Sequence, residues 1–128
     1  MKISEEEVQQ YLAKKDWLTA TIQQIQKDLS WQNLELPLSI SPSVEELKDQ
    51  LSKLFSYLEQ GQYQTLMNIL YRVDVGEEQI QKAMSQAVDE PFSDVVAQLL
   101  MKRCLLKVVM KHHFSNQENR SSEGLLNQ

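Results

Sequence analysis

Apolar residues recur along most of the chain at intervals of three and four, the spacing of one face of an α-helix. Ser4 and Glu7 form the pattern of an N-terminal capping box. The first stripe then comprises Val8, Tyr11, Leu18, Ile22, Ile25 and Leu29. Asp16 could cap a second helix after a break. Because the stripe keeps its phase if Lys15 is counted within it, the pattern favours one long helix, straight or bent, over about residues 5–31.

Residues 33–42 follow a different pattern. The apolar residues there alternate strictly with other residues, a period of two that indicates extended chain: Leu34, Leu36, Leu38 and Ile40. Pro37 has no backbone N–H to donate, so a strand here would lie at a sheet edge. Two interpretations stay open: an extended connector laid over the helices, or a strand that pairs with another chain.

The remaining stripes predict further helices. Ser43 and Glu46 form a second capping box, and the helix after it carries Val44, Leu47, Leu51, Leu54, Phe55 and Leu58. Two shorter helical patterns follow, centred on Leu66, Met67 and Leu70 and on Ile80, Ala83 and Met84.

The last predicted helix opens at residues 89–91, where Pro91 suits a first turn, and runs to about Phe114. It is apolar over most of its circumference, which is typical of a central helix packed on several sides. We expect Leu99, Leu106 and Val109 to be core residues.

These patterns predict an all-α fold: a single-domain bundle of about five helices with a central C-terminal helix and one extended loop at about residues 33–42. The helical domain is expected to span residues 1–114. Residues 115–128 are expected to be a polar C-terminal tail, anchored by Leu125 and Leu126 on this chain or on a neighbour.

Composition narrows the functional classes. The chain has 128 residues, a net charge of −5 and one cysteine, so it has no internal disulfide. Acids occupy positions 5–7, where a signal peptide would carry a basic start and an apolar run, and no apolar stretch has the length of a membrane span. We therefore expect a cytoplasmic protein without a membrane partner.

A basic strip, Lys102, Arg103, Lys107 and Lys111, marks the last helix, with no acid from residue 99 to residue 114. One interpretation is a solvated helix face whose charges pair with acids on neighbouring helices. The others are a surface for a protein partner and a surface for nucleic acid; the negative net charge disfavours nucleic acid.

Residues 71–77 join two short helices, and Arg72 and Asp74 lie there. A DNA-reading helix-turn-helix is disfavoured because the second helix begins with Glu77 and Glu78. We expect a tight structural corner in which Arg72 pairs with a nearby acid.

No residue pattern indicates a catalytic, metal or cofactor site. Adjacent helical residues such as His112 and His113 point about 100° apart, so one metal ion cannot easily take both. Cys104 lies on the apolar face of its helix, as an inert buried cysteine does. We therefore lean against an enzyme, and identify no small-molecule ligand.

The sequence LYRVDV at residues 70–75, followed by Glu77 and a long apolar helix with Arg103, resembles a family of small uncharacterised helical bacterial proteins. The resemblance covers about residues 20–114. It implies a small helical fold and supplies no activity, ligand or functional residue.

The leading functional hypothesis is a non-enzymatic protein–protein interaction or adaptor module that associates with a partner or with itself as a homodimer. One alternative is a nucleic-acid-associated regulator that uses the basic strip. The other is an enzyme or a carrier of a small apolar ligand held between the helices.

Overall fold

The structure is a computed structural model that describes residues 2–126, with side chains described for residues 2–116. Within this part of the chain all regular structure is helical and no residue lies in a strand, so the all-α class is confirmed. In chain order the helices are α1 (Glu5–Leu12), α2 (Lys15–Ser30), α3 (Val44–Gly61), α4 (Tyr63–Arg72), α5 (Glu77–Gln86) and α6 (Phe92–Leu126). None of them combines the length and apolarity needed to cross a membrane.

The prediction of one helix over residues 5–31 is wrong, because the chain breaks between α1 and α2. Lys14 is extended, with φ −95° and ψ 126°, and no side chain caps α2. The apolar stripe has a gap here, since Lys15 is exposed and contributes no burial that would favour a straight helix. On either side of the break, the rings of Tyr11 and Trp17 pack edge to face, with centroids 5.0 Å apart.

The central position predicted for the last helix is observed. α6 packs mainly on α3 and α2, and then on α5. Leu106 and Val109 are buried as predicted, whereas Leu99 is only partly buried and packs at the margin of the core. A helix with neighbours on several sides must be apolar around most of its circumference.

The extended segment at residues 33–42 is a connector held against this chain's own helices. Leu36 is buried, and the side-chain amide of Gln26 on α2 accepts from its N–H at 2.9 Å and donates to its carbonyl at 3.1 Å. The Glu46 carboxylate accepts from the N–H and the hydroxyl of Ser39. Ser43 caps α3 through the Glu46 N–H, so the second capping box is half formed. The first, at the start of α1, is complete.

α6 does not end near Phe114, as the sequence pattern predicted, but continues to Leu126. Residues 115–126 carry no apolar stripe, so periodicity gave no signal for this continuation of the helix. The side chains of Leu125 and Leu126, the predicted anchors, lie outside the described residues.

Candidate functional site: a polar seam between α2 and α6

Three polar residues of α2 are buried: Thr21, Gln24 and Asp28. Their spacing of three and four places them on one face of the helix. Thr21 satisfies its hydroxyl within α2, by donating to the carbonyl of Trp17 at 2.8 Å. Gln24 and Asp28 instead reach side chains of α6 and α4, and we call this set of contacts the polar seam.

The Asp28 carboxylate is the centre of the polar seam, with its side chain only 4% exposed. Oδ1 lies 3.4 Å from Nε of Arg72 at the end of α4. Oδ2 lies 3.3 Å from Nζ of Lys107 on α6 and accepts from Nε2 of Gln24 at 3.1 Å. One buried anion therefore connects three helices, and its charge is compensated as a buried charge requires.

Cys104 also belongs to the polar seam, since its thiol donates to Oδ2 of Asp28 at 3.7 Å. Burial, and then the nearby Asp28 charge, raise the pKa of this thiol from 9.0 to about 12. The thiolate is the reactive form of cysteine, so Cys104 is chemically inert at neutral pH. Its side chain acts here as a small buried group with a weak donor.

The outer end of the polar seam lies near the start of α2. Lys111 donates to Oε1 of Gln24 at 2.9 Å. The ring of His112 packs edge to face on Trp17, with centroids 5.2 Å apart. Across the described residues, no three His, Cys, Asp or Glu side chains are grouped as metal ligands would be.

The corner at residues 72–74 joins the polar seam to α6. Asp74 has a left-handed φ of 65°, a conformation that Asp tolerates better than most residues. Its carboxylate accepts from Arg103 at 3.2 Å, and Nε of Arg103 donates to the carbonyl of Val73 at 3.1 Å. Arg72 pairs with an acid, as expected, and its guanidinium also stacks on the ring of Trp31 at 4.0 Å.

The basic strip does not form one open surface. Lys102 pairs with Glu5 of α1 at 3.2 Å, and Arg103 belongs to the corner. Lys107 and Lys111 face α2 within the polar seam. Each cation therefore has a partner on another element: Lys102, Arg103 and Lys107 contact an acid, and Lys111 contacts the amide of Gln24.

Sequence reasoning missed Asp28, the residue that connects most of these groups. A signal was present, because Thr21, Gln24 and Asp28 repeat the spacing of Ile22, Ile25 and Leu29 one position earlier. Polar residues in register with an apolar stripe are candidates for a buried polar face. Their partners, Arg72 and Lys107, are far away in sequence and give no local indication of the contact.

Two surface grooves flank the N-terminal segment. One, of about 520 Å³, lies between residues 2–5, α5 and α6. The other, of about 420 Å³, lies between α1, α3 and α6.

Comparisons of the chain with protein-family models, with curated proteins and with solved structures found no match. The family resemblance of residues 70–75 therefore stays a prediction.

Proposed function

We propose that the protein is a non-enzymatic interaction module that forms a homodimer through the C-terminal part of α6. The observation that carries this proposal is an exposed apolar pair, Met110 and Phe114, which are 45% and 60% exposed. They lie four residues apart and so share one side of the helix. Methionine and aromatic residues are enriched in protein interfaces.

The position of this pair on α6 supports a role in association. All side chains from Met110 to Asn116 are exposed, while the helix itself continues to Leu126. Residues 110–126 form about 25 Å of helix at 1.5 Å per residue. Met110 and Phe114 are each two residues from His112, which contacts α2. They are therefore turned about 160° away from that contact.

The exposed apolar pair favours a second copy of this chain as the partner. Lys107 and Lys111 contact Asp28 and Gln24 of α2, so the proposed pairing uses Met110 and Phe114 and not these cations. An antiparallel pair of α6 helices brings Met110 and Phe114 of one copy against the C-terminal part of α6 of the other. A two-fold symmetric interface of this kind uses the same patch on both copies.

The polar groups suited to chemistry support a non-enzymatic role. The Asp28 carboxylate is held between Arg72 and Lys107, and the Cys104 thiol stays protonated. A nucleic-acid regulator is disfavoured because phosphate would compete with the existing partners of the basic strip. The single, buried cysteine also fits a reducing compartment, and we place the protein in the cytoplasm.

The first test is a pair of charge substitutions examined by multi-angle light scattering. Phe114→Glu places a charge within the proposed interface and is expected to lower the mass from dimer to monomer at micromolar concentration. Tyr57→Glu is the matched control, because Tyr57 is an aromatic residue on α3 with a similar exposure of 65%. A dimer that Phe114→Glu leaves intact would contradict the proposed interface.

A further inference from the structure

The groove between residues 2–5, α5 and α6 combines an apolar floor with a cationic rim, and we call it the α5–α6 groove. Its volume is about 520 Å³. Small-molecule sites usually measure about 300–1,000 Å³, so the groove has the size of a ligand site. It is separate from the proposed dimer surface, because neither Met110 nor Phe114 lines it.

The floor of the α5–α6 groove is apolar and elongated. Leu99 and Leu106 are seven residues apart on α6, so they share one face and are separated by about 10 Å along the axis. Ile3 from the N-terminal segment and Ala83 from α5 complete the floor. A linear hydrocarbon chain lying along α6 fits this shape better than a wide ring system does.

The rim concentrates positive charge in a chain whose net charge is −5. Four cations and one acid line the groove: Lys2, Lys82, Lys102, Arg103 and Glu5. Lys102 pairs with Glu5, and Arg103 with Asp74. Within the described part of the chain, the ammonium groups of Lys2 and Lys82 have no ion-pair or hydrogen-bond partner. These two cations are therefore available to an anion from outside the chain.

We propose that the α5–α6 groove binds a single-chain anionic amphiphile, an alkyl chain that carries a carboxylate or phosphate head. The chain lies over Leu99 and Leu106, and the head lies at the rim beside Lys2 and Lys82. A protein segment fits less well, because a stable protein interface involves roughly 20–30 residues on each side. Eleven residues line this groove.

This mode of binding predicts that affinity depends both on the length of the alkyl chain and on the salt concentration. Attraction between charges alone would depend on salt but not on chain length. Burial of each added methylene strengthens binding up to roughly fourfold. Salt weakens the contribution of the head, because Lys2 and Lys82 are exposed to solvent. An alcohol of the same chain length is therefore expected to bind more weakly and without salt dependence.

The test is calorimetric titration of the full chain with octanoate, decanoate, dodecanoate, dodecyl phosphate and dodecanol, each below its micelle concentration. We expect saturable binding of one molecule per chain, stronger with each methylene. The double variant Lys2→Gln/Lys82→Gln should weaken binding of the anions by roughly fivefold to tenfold and leave dodecanol unchanged. Ala83→Trp, which fills the floor, should abolish binding of all ligands.

The control is Lys15→Gln/Lys53→Gln, which changes the net charge equally at two exposed lysines outside the groove. Equal weakening by both double variants would overturn the proposal, because the effect would then be one of net charge. Affinity that is independent of chain length would also overturn it. So would binding to vesicles of an anionic phospholipid without binding to the monomeric amphiphiles, which would assign the cations to a membrane surface.

Discussion

The two main interfaces of α6 are built in opposite ways. Toward α3 the buried side chains are apolar, and α3 contributes Leu47, Leu51, Phe55 and Leu58, all fully buried. Toward α2 the helix meets the polar seam, where α2 buries Thr21, Gln24 and Asp28 beside Ile25 and Leu29. The same central helix is therefore held by buried apolar area on the α3 side, and by buried apolar area together with directional polar contacts on the α2 side.

The two interfaces differ in the substitutions that they tolerate. Apolar packing is non-directional, so an exchange between apolar side chains of similar volume costs little. The polar seam has geometric demands, because Asp28 must meet Arg72 and Lys107 at once. We expect the α3 interface to supply most of the stability of the core, and the polar seam to fix the register of α2, α4 and α6.

The largest effect is expected from the apolar interface. Phe55→Ala removes a fully buried ring and leaves a cavity, and it should lower the free energy of unfolding by about 3–5 kcal/mol. Chemical denaturation measures this loss. As a control, Leu51→Met keeps the volume and should cost less than about 1.5 kcal/mol. Similar costs for both variants would contradict a tolerant interface.

A somewhat smaller effect is expected when the polar seam loses its anion. Asp28→Ala leaves Arg72 and Lys107 without their buried partner, which costs about 3–5 kcal/mol for a fully buried pair. Because Arg72 is 33% and Lys107 24% exposed, both can turn toward water, and we expect about 2–3 kcal/mol.

The tolerance of the polar seam can be measured by the same denaturation. Asp28→Asn keeps the volume but removes the charge, and it should recover little of this stability, unlike the volume-conserving exchange at Leu51. Asp28→Leu combined with Lys107→Met should recover much of it, because an apolar pair replaces the buried charges. If Asp28→Asn were as stable as the natural chain, the seam would have no electrostatic role.

The smallest of these effects, about 2 kcal/mol by pH 10.5, depends on pH and isolates Cys104. In the folded chain the pKa of its thiol is about 12, against an ordinary value of 9.0. The contribution of the neutral thiol is therefore complete below pH 9 and is lost as the pH rises toward 12. Above pH 9 the natural chain should lose about 1.4 kcal/mol per pH unit relative to Cys104→Ala. Parallel pH profiles of the two proteins from pH 8 to 10.5 would contradict the burial of this thiol.

The sequence predicted those features that depend on local periodicity. The stripes on α3 and α6 repeat at helical spacing, and the alternation of Leu34, Leu36 and Leu38 indicated the extended connector. Periodicity reports which face of an element is apolar, and not whether its backbone is continuous. The break after Leu12 was therefore missed, although the stripe lies on both sides of it.

The candidate site was less predictable, because its contacts join residues distant in sequence. Arg72 and Lys107 were singled out as charged residues, but nothing near them in the sequence identifies Asp28 as their common partner. The α5–α6 groove also depends on tertiary packing, since its lining comes from three separate segments. The continuation of α6 to Leu126 escaped prediction because residues 115–126 carry no apolar stripe.

The most direct test of the account is the mass in solution of the full chain and of a truncation after Phe114, by light scattering from 1 to 100 micromolar. We expect twice the chain mass of 14.9 kDa for the full chain. We expect a monomer for the truncation, which removes most of the helix proposed to pair. A full chain that stays monomeric across this range would contradict self-association through α6.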